Sequence, residues 1–256
     1  MSDQNPILRA DNATLGYGTA APVIERLSLD LPQGQFTALL GPNGCGKSTL
    51  LKALGGLIEP RAGDILIDGT PLARSPKRRL AREIASLGQG AQAPDGLTVE
   101  DLARQGRYPH RALLARWNAG DADAVENALR LTQMHALRHS PLDALSGGQR
   151  QRAWIAMTLA QEGHVLLLDE PTTYLDLAHQ VEVLRLLRRL VITQGVSVVA
   201  VLHDLNQAAR YADRVVLMRA GTIVAAGPPA EVLTAAAVSD VFGLDVTLLH
   251  DPETQT

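Results

Sequence analysis

Gly41-Pro42-Asn43-Gly44-Cys45-Gly46-Lys47-Ser48, continued by Thr49, fits the pattern G-x-x-x-x-G-K-[ST], and its flanks agree with that reading. The apolar run Phe36 to Leu40 before it predicts a buried strand, and Thr49 to Leu57 after it predicts a helix. A glycine-rich loop between strand and helix lets successive N–H groups curl inward, and the helix start adds positive potential for phosphate. Lys47 is placed to reach terminal phosphates, and the Ser48 hydroxyl to ligate magnesium. A glycine-rich turn without a ligand would need neither flanking element. The stretch predicts a nucleoside triphosphate site.

Working outward, short strand patterns broken by turns precede the loop: Ile7 to Ala10, Ala13 to Tyr17 and Ile24 to Leu31. Ile65 to Ile67 runs into an Asp68-Gly69 turn, a second antiparallel sign. Short continuous apolar runs follow at Ile84 to Leu87, Val165 to Leu168, Val196 to Leu202 and Val215 to Met218. Separated by helical stretches, such runs suit the centre of a sheet covered on both faces. Between Leu97 and Ala160 the pattern is helical with no strand candidate, and Asp121 is the expected N-cap of a helix carrying Val125, Leu129 and Thr132 on one face. The helix expected from about Leu177 to Gln194 lines up Val181, Leu184, Leu187 and Val191, with Gly195 as its stop. The expected architecture is an α/β core carrying an inserted helical subdomain at about 92–160, with a polar tail at 249–256.

Composition narrows the class. A chain of 256 residues, 46% of them apolar, buries a full core as one large domain or one domain with an insertion. No window approaches the roughly 18 apolar residues of a membrane span, and the polar start Ser2-Asp3-Gln4-Asn5 makes export unexpected. One cysteine excludes an intramolecular disulfide and fits a reducing compartment. A net charge of −3 gives no general attraction to nucleic acid. The densest basic run, Arg74, Lys77, Arg78, Arg79 and Arg82, reads as a solvated helix face.

Each buried run ends in a polar residue suited to triphosphate chemistry. Asp169 and Glu170 follow Leu168, His203 follows Leu202, and Gln89 follows Leu87 after one glycine. An aspartate there can hold magnesium and the adjacent glutamate can orient or deprotonate the attacking water. Ligands of open α/β sheets sit beyond the carboxyl ends of the strands, so these residues can converge with the phosphate loop. Ser146-Gly147-Gly148-Gln149 opens another helix, running through Ile155, Met157 and Leu159, and forms a second anion site. One triphosphate does not need two helix starts in the same lobe; a second start is useful if it closes on the first across a dimer. Cys45, beside a helix N-terminus and near Lys47, reads either as a thiolate or as a small residue lending its N–H to phosphate.

In this order the motifs resemble the nucleotide-binding subunit of an ATP-binding cassette (ABC) transporter, from about Ile7 to Leu248 (a cassette at 7–248). The resemblance implies a P-loop NTPase core with a mainly parallel sheet and an N-terminal antiparallel β-subdomain. It implies that Tyr17 stacks on adenine and that Gly41, Pro42, Asn43, Gly44, Cys45, Gly46, Lys47, Ser48 and Thr49 form the Walker A loop. Gln89 matches the glutamine that touches magnesium and reports to the membrane partner. Leu145 to Gln149 match the signature sequence, so Ser146, Gly147, Gly148 and Gln149 are implied nucleotide contacts. Asp169 matches the Walker B aspartate, a magnesium ligand with Ser48 and Gln89, and Glu170 matches the catalytic glutamate. Thr173-Tyr174-Leu175-Asp176 corresponds to the D-loop, whose usual small residue is Tyr174 here, and His203 matches the switch histidine on the γ-phosphate. The implied catalytic set is Glu170, His203, Lys47 and Gln89, with ATP and Mg2+ as cofactors.

Gly106-Arg107-Tyr108-Pro109-His110, Glu170 to Asp176 and His203 to Tyr211 resemble the ATPases of bacterial ferric-siderophore importers, with haem and cobalamin importers as close relatives. The implied partners are a second copy, permease subunits docked near Gln89 to Gly106 and, indirectly, a periplasmic or lipid-anchored siderophore-binding protein, with no nucleic acid. The implied location is the cytoplasmic face of the inner membrane. The rival is a soluble ABC ATPase acting on DNA or ribosomes, whose coiled coils, zinc hooks or tandem cassettes have no counterpart here. A simple P-loop kinase or GTPase needs neither the signature motif nor His203.

Overall fold

Strand β3 (Phe36–Leu40) is buried along its whole length, and its alternating side chains enter two different cores. A computed structural model describes residues 6–90, 94–111 and 116–249 of the chain. In it Leu39 packs toward helix α1 (Lys47–Leu54) and the N-terminal strands, whereas Phe36, Ala38 and Leu40 join the cluster beneath helix α6 (Leu177–Gln194). Two-sided burial produces the continuous apolar runs read from the sequence.

The N-terminal strands β1 (Leu8–Leu15), β2 (Ile24–Leu31), β4 (Ala62–Ile67) and β5 (Thr70–Pro71) form an antiparallel sheet in the order β2-β1-β4-β5. Asp68 and Gly69, both at positive φ, make the tight turn between β4 and β5. The second sheet has six strands in the order β10-β9-β3-β8-β7-β6. It uses β6 (Ile84–Leu87), β7 (Val165–Leu168), β8 (Ser197–Val201), β9 (Arg214–Arg219) and β10 (Thr222–Gly227). All its pairings are parallel except β9 with β10, which is antiparallel and closes one edge. Because β8 and β9 flank β3 on opposite sides, the carboxyl end of β3 lies at the crossover where α/β sheets bind ligands.

A third core is made by α3 (Val99–Gln105), α4 (Ala119–Leu131) and α5 (Gly147–Ala160), while α2 (Lys77–Glu83) leads into β6 and packs Leu80 into the cluster of α1 and the N-terminal strands. Helix α5 faces two ways: Ile155 belongs to the sheet cluster, and Ala153, Ala156 and Ala160 to the helical one. Helices α7 (Leu205–Tyr211), α8 (Pro229–Val232) and α9 (Ala235–Phe242) complete the chain. The expected tail falls, from His250 onward, outside the described residues.

Three sequence expectations need correction. Helix α1 begins at Lys47 and stops at Leu54, because Gly55 and Gly56 end it, so Leu57 is 70% exposed and outside it. Asp121 is not the N-cap of α4: Asn118 takes that position, and Asp121 fills the third helical position of a capping box. Both places need a side-chain oxygen that accepts from a backbone N–H at the helix start. The basic run is not merely solvated. Arg78 and Arg82 both donate from Nε to the Pro109 carbonyl, at 2.8 and 2.9 Å, tying α2 to the Tyr108–His110 turn.

Asp121 is buried for a reason. Its carboxylate lies 3.1 Å from Arg107 Nε, and both side chains are nearly sealed from solvent. Arg107 also donates to Ala160 O at 2.7 Å and to the half-exposed Glu162 at 2.6 Å. Removing one partner of a sealed pair typically costs about 3–5 kcal/mol. Asp121→Ala should therefore lower Tm by about 6–20 °C in a thermal melt, whereas Glu162→Ala should barely move it. A shift below about 3 °C for Asp121→Ala would contradict this account.

Candidate functional site

The loop from Gly41 to Gly46 is held from below by the β9–β10 edge. A Cβ at Gly41 would sit 2.1 Å from the Met218 carbonyl, and its φ of +150° lies in glycine's territory. Gly221 N–H donates to Cys45 O at 2.9 Å, fixing the loop's far side. Gly46, in the left-handed region, packs against Ile24 and Val23 and serves as the N-cap of α1. Lys47 is 5% exposed and donates to its own loop, to Gly41 O at 2.7 Å and Pro42 O at 2.8 Å. Cys45 is 4% exposed and joins the apolar cluster of β1, β2 and α1, with its Sγ 3.9 Å from Lys47 Nζ. Its burial favours the reading in which Cys45 serves the loop through its backbone.

Strand ends bring the other residues to this loop. Asp169, at the end of β7, accepts from Ser48 Oγ at 3.0 Å. Burial raises the Asp169 pKa above the ordinary aspartate value, opposed by the Ser48 hydrogen bond and reinforced by the neighbouring Glu170 charge. Glu170 sits at φ +55° and its carboxylate has three partners. Gln89 Nε2 donates to Oε2 at 2.7 Å, Thr173 Oγ1 donates to the same oxygen at 3.0 Å, and His203 Nε2 lies 2.9 Å from Oε1. Asp204, next to His203, caps α7 by accepting from Asn206 and Gln207 N–H at 2.8 and 3.0 Å, which fixes the approach of the histidine.

Lys47, Ser48, Gln89, Glu170 and His203 share one open cleft of about 540 Å³, lined also by Val23, Asn43, Gly44, Gly46 and Thr49, with Asp169 just behind it on Ser48. Sequence reasoning missed two contributors, Val23 and the hydroxyl of Thr173 as a partner of Glu170. Thr173 lies three residues after Glu170, within reach once the chain turns; Val23 carries no signal beyond its place before a strand. Tyr17 stands half-exposed above the start of α1, with its hydroxyl 3.3 Å from Thr49 Oγ1 and Lys52 Nζ 5.9 Å from its ring centre. Ser48 and Asp169 offer hard oxygen atoms, the donor type magnesium prefers. Among the described residues no cluster of three His, Cys, Asp or Glu side chains forms a metal cage. Magnesium at nucleotide sites keeps few protein ligands and takes others from phosphate, so the residues fit it.

Ser146, Gly147, Gly148 and Gln149 do not line this cleft. Ser146 caps α5 in a capping box, accepting from Gln149 N–H while Gln149 Oε1 accepts from Ser146 N–H at 3.0 Å. A Cβ at Gly148 would lie 2.2 Å from the His179 ring, so glycine permits the close approach of α6. His179 is in turn held by Asp176, the N-cap of α6, whose pKa is lowered by the hydrogen bonds that His179 donates from its backbone and its ring. The start of α5 therefore packs against the 174–179 turn, outside the cleft that holds Lys47.

A family model described as ABC transporter matches residues 24–173. The chain is 46% identical over 252 residues to the ferric enterobactin transport ATP-binding protein of Escherichia coli (strain K12), covering 98% of this chain and 93% of that one. It is 44% identical over 234 residues to the hemin import ATP-binding protein of Shewanella denitrificans, covering 90% and 91% respectively. A metal-chelate type ABC transporter solved in an inward-facing conformation superimposes with a TM-score of 0.82 at 32% identity, over 94% of this chain and 90% of that one.

Proposed function

The chain belongs to the ABC transporter family as an ATP-binding, ATP-hydrolysing subunit, and on that premise we propose that it powers import of a ferric siderophore across the bacterial cytoplasmic membrane. Two copies enclose two ATP molecules, docked on permease subunits at the inner face of the membrane and served by a siderophore-binding protein outside. The cassette runs over 7–248 with its helical subdomain at about 92–160, of which 92–93 and 112–115 lie outside the described part, as does residue 91 in the docking region at Gln89 to Gly106. No helix among the described residues is long and apolar enough to cross a membrane, in keeping with a peripheral subunit.

The observation that carries this reading is the placement of two anion-binding helix starts. That of α1 faces the cleft with Glu170 and His203, and that of α5 does not. A second copy supplies the missing half, its Ser146-to-Gln149 segment closing on the γ-phosphate.

Within one site, Tyr17 carries the adenine and the loop N–H groups take the phosphates. Lys47 exchanges the Gly41 and Pro42 carbonyls for terminal phosphate oxygens. Ser48, Asp169 and Gln89 would hold magnesium, whose presence would supply Lewis-acid neutralisation of phosphate charge. Glu170 accepts a proton from, or aligns, the attacking water, and His203 holds both the Glu170 carboxylate and the γ-phosphate. Asp176 sits at the start of α6, on the side that meets the partner copy.

Cargo follows from the ferric enterobactin and metal-chelate relatives. Deleting the gene should cripple growth on one ferric chelate and leave growth on free iron salts intact. A mutant that grows equally on every chelate but loses haem or cobalamin use would transfer the cargo to those classes.

A further inference from the structure

Two amide side chains outside the cleft join its halves. Gln207 lies on α7, one turn after His203, and its side chain is 8% exposed. Its Nε2 donates to Gln180 Oε1 at 2.7 Å, and Gln180 Nε2 donates onward to the Leu175 carbonyl at 3.0 Å. Direction is fixed by chemistry. A carbonyl can only accept, so Gln180 must offer it the NH2 group and leave its own oxygen for Gln207.

The segment they reach is strained. Glu170 and Tyr174 both lie in the left-handed region at φ +55° and +64°, which costs free energy for any residue but glycine. Such a turn persists only where its surroundings over-determine it. Within the turn, Thr173 N–H reaches Glu170 O at 3.2 Å and Leu175 N–H reaches Thr172 O at 3.3 Å, both long. Gln180 adds a bond from outside the turn, at ordinary length.

We propose that Gln180 and Gln207 are positioning residues for hydrolysis, a link that registers the Glu170–Asp176 turn against the His203 segment. With Thr173 holding Glu170 from the turn and His203 holding it from β8, the link closes a ring of contacts around the carboxylate. Loss of the link lets the turn drift relative to His203 and misaligns Glu170, although neither glutamine touches nucleotide. This inference rests on Glu170 being the residue that handles water.

The test uses the full-length subunit with its permease and measures kcat and KM for ATP together with Tm. Gln207→Leu removes the donor, and Gln207→Glu replaces it at equal size with an acceptor. Each should lower kcat about tenfold, the scale of one hydrogen bond, with KM within about twofold. Gln207→Leu should keep Tm within about 3 °C, whereas Gln207→Glu, which sets a carboxylate against Gln180 Oε1, should lower Tm further. The double variant Gln207→Glu/Gln180→Lys supplies an ammonium able to donate to both the new carboxylate and the Leu175 carbonyl, and should recover most of the rate. A kcat unchanged in both single variants, a kcat loss in Gln207→Leu accompanied by a large fall in Tm or rise in KM, or a double variant as slow as the singles overturns the proposal. Glu170→Gln run in parallel separates the failures. If it hydrolyses normally, the reading of the cleft is wrong; if it is inactive while Gln207→Glu is normal, only the link is wrong.

Discussion

Glu170→Gln should bind ATP as the parent does and hydrolyse it about 10²–10⁴-fold more slowly, the usual worth of a positioned acid–base group. Binding survives because Lys47, Ser48 and the loop are untouched, and Ser48 keeps its bond to Asp169. Hydrolysis fails for two reasons. The amide has no charge with which to draw a proton from water, and it has one acceptor oxygen where the carboxylate has two. Gln89, Thr173 and His203 all converge on the two carboxylate oxygens, and the amide offers that set only one acceptor oxygen. With the nucleotide uncleaved between two copies, the closed pair should accumulate. Single-turnover hydrolysis measures the first effect, and size-exclusion chromatography with ATP and magnesium measures the second.

Ser146→Arg should give the opposite pattern, with each copy binding ATP while the pair fails to close and turnover falls about 10²-fold or more. The side chain it removes caps α5, worth about 0.5–2 kcal/mol to a helix, so the fold survives. The lost capping box with Gln149 and a bulky side chain at the proposed phosphate-docking position account for the rest. The two-copy reading is wrong if Glu170→Gln stays monomeric at high concentration, alone and with its permease, while Ser146→Arg keeps full ATPase activity.

What could be read in advance depended on how local the physics was. Strands β3, β7 and β8 are buried on both faces, so their continuous apolar runs announced them. Helix α6 followed from a stripe at helical spacing and from Gly195, which takes φ +65° at its end. Strand β10 gave no such signal, because it alternates exposed and half-buried residues with small Ala225 and Ala226 among them. Asp121 was assigned the wrong role because a cap and the third position of a capping box both need an acceptor oxygen near the helix start, and its partner Arg107 lies elsewhere in the chain. Arg78 and Arg82 look like solvated charge until the fold brings the Pro109 carbonyl to them. Around Glu170, Asp169 and His203 were legible as strand-end residues. Gln180 and Gln207 were not, since neither ends a strand nor joins a phosphate motif.

The burial of Cys45 has a practical side for spectroscopy. The chain's single native thiol is 4% exposed and packed beneath the phosphate loop, which makes the wild-type sequence a near-silent background for thiol-directed dyes and spin labels. Ile192, 68% exposed near the end of α6, and Leu57, 70% exposed just beyond α1, are natural attachment points once exchanged for cysteine. Distances between two such labels, one on each copy, can then be followed through a turnover without first removing a residue from the loop that holds the nucleotide.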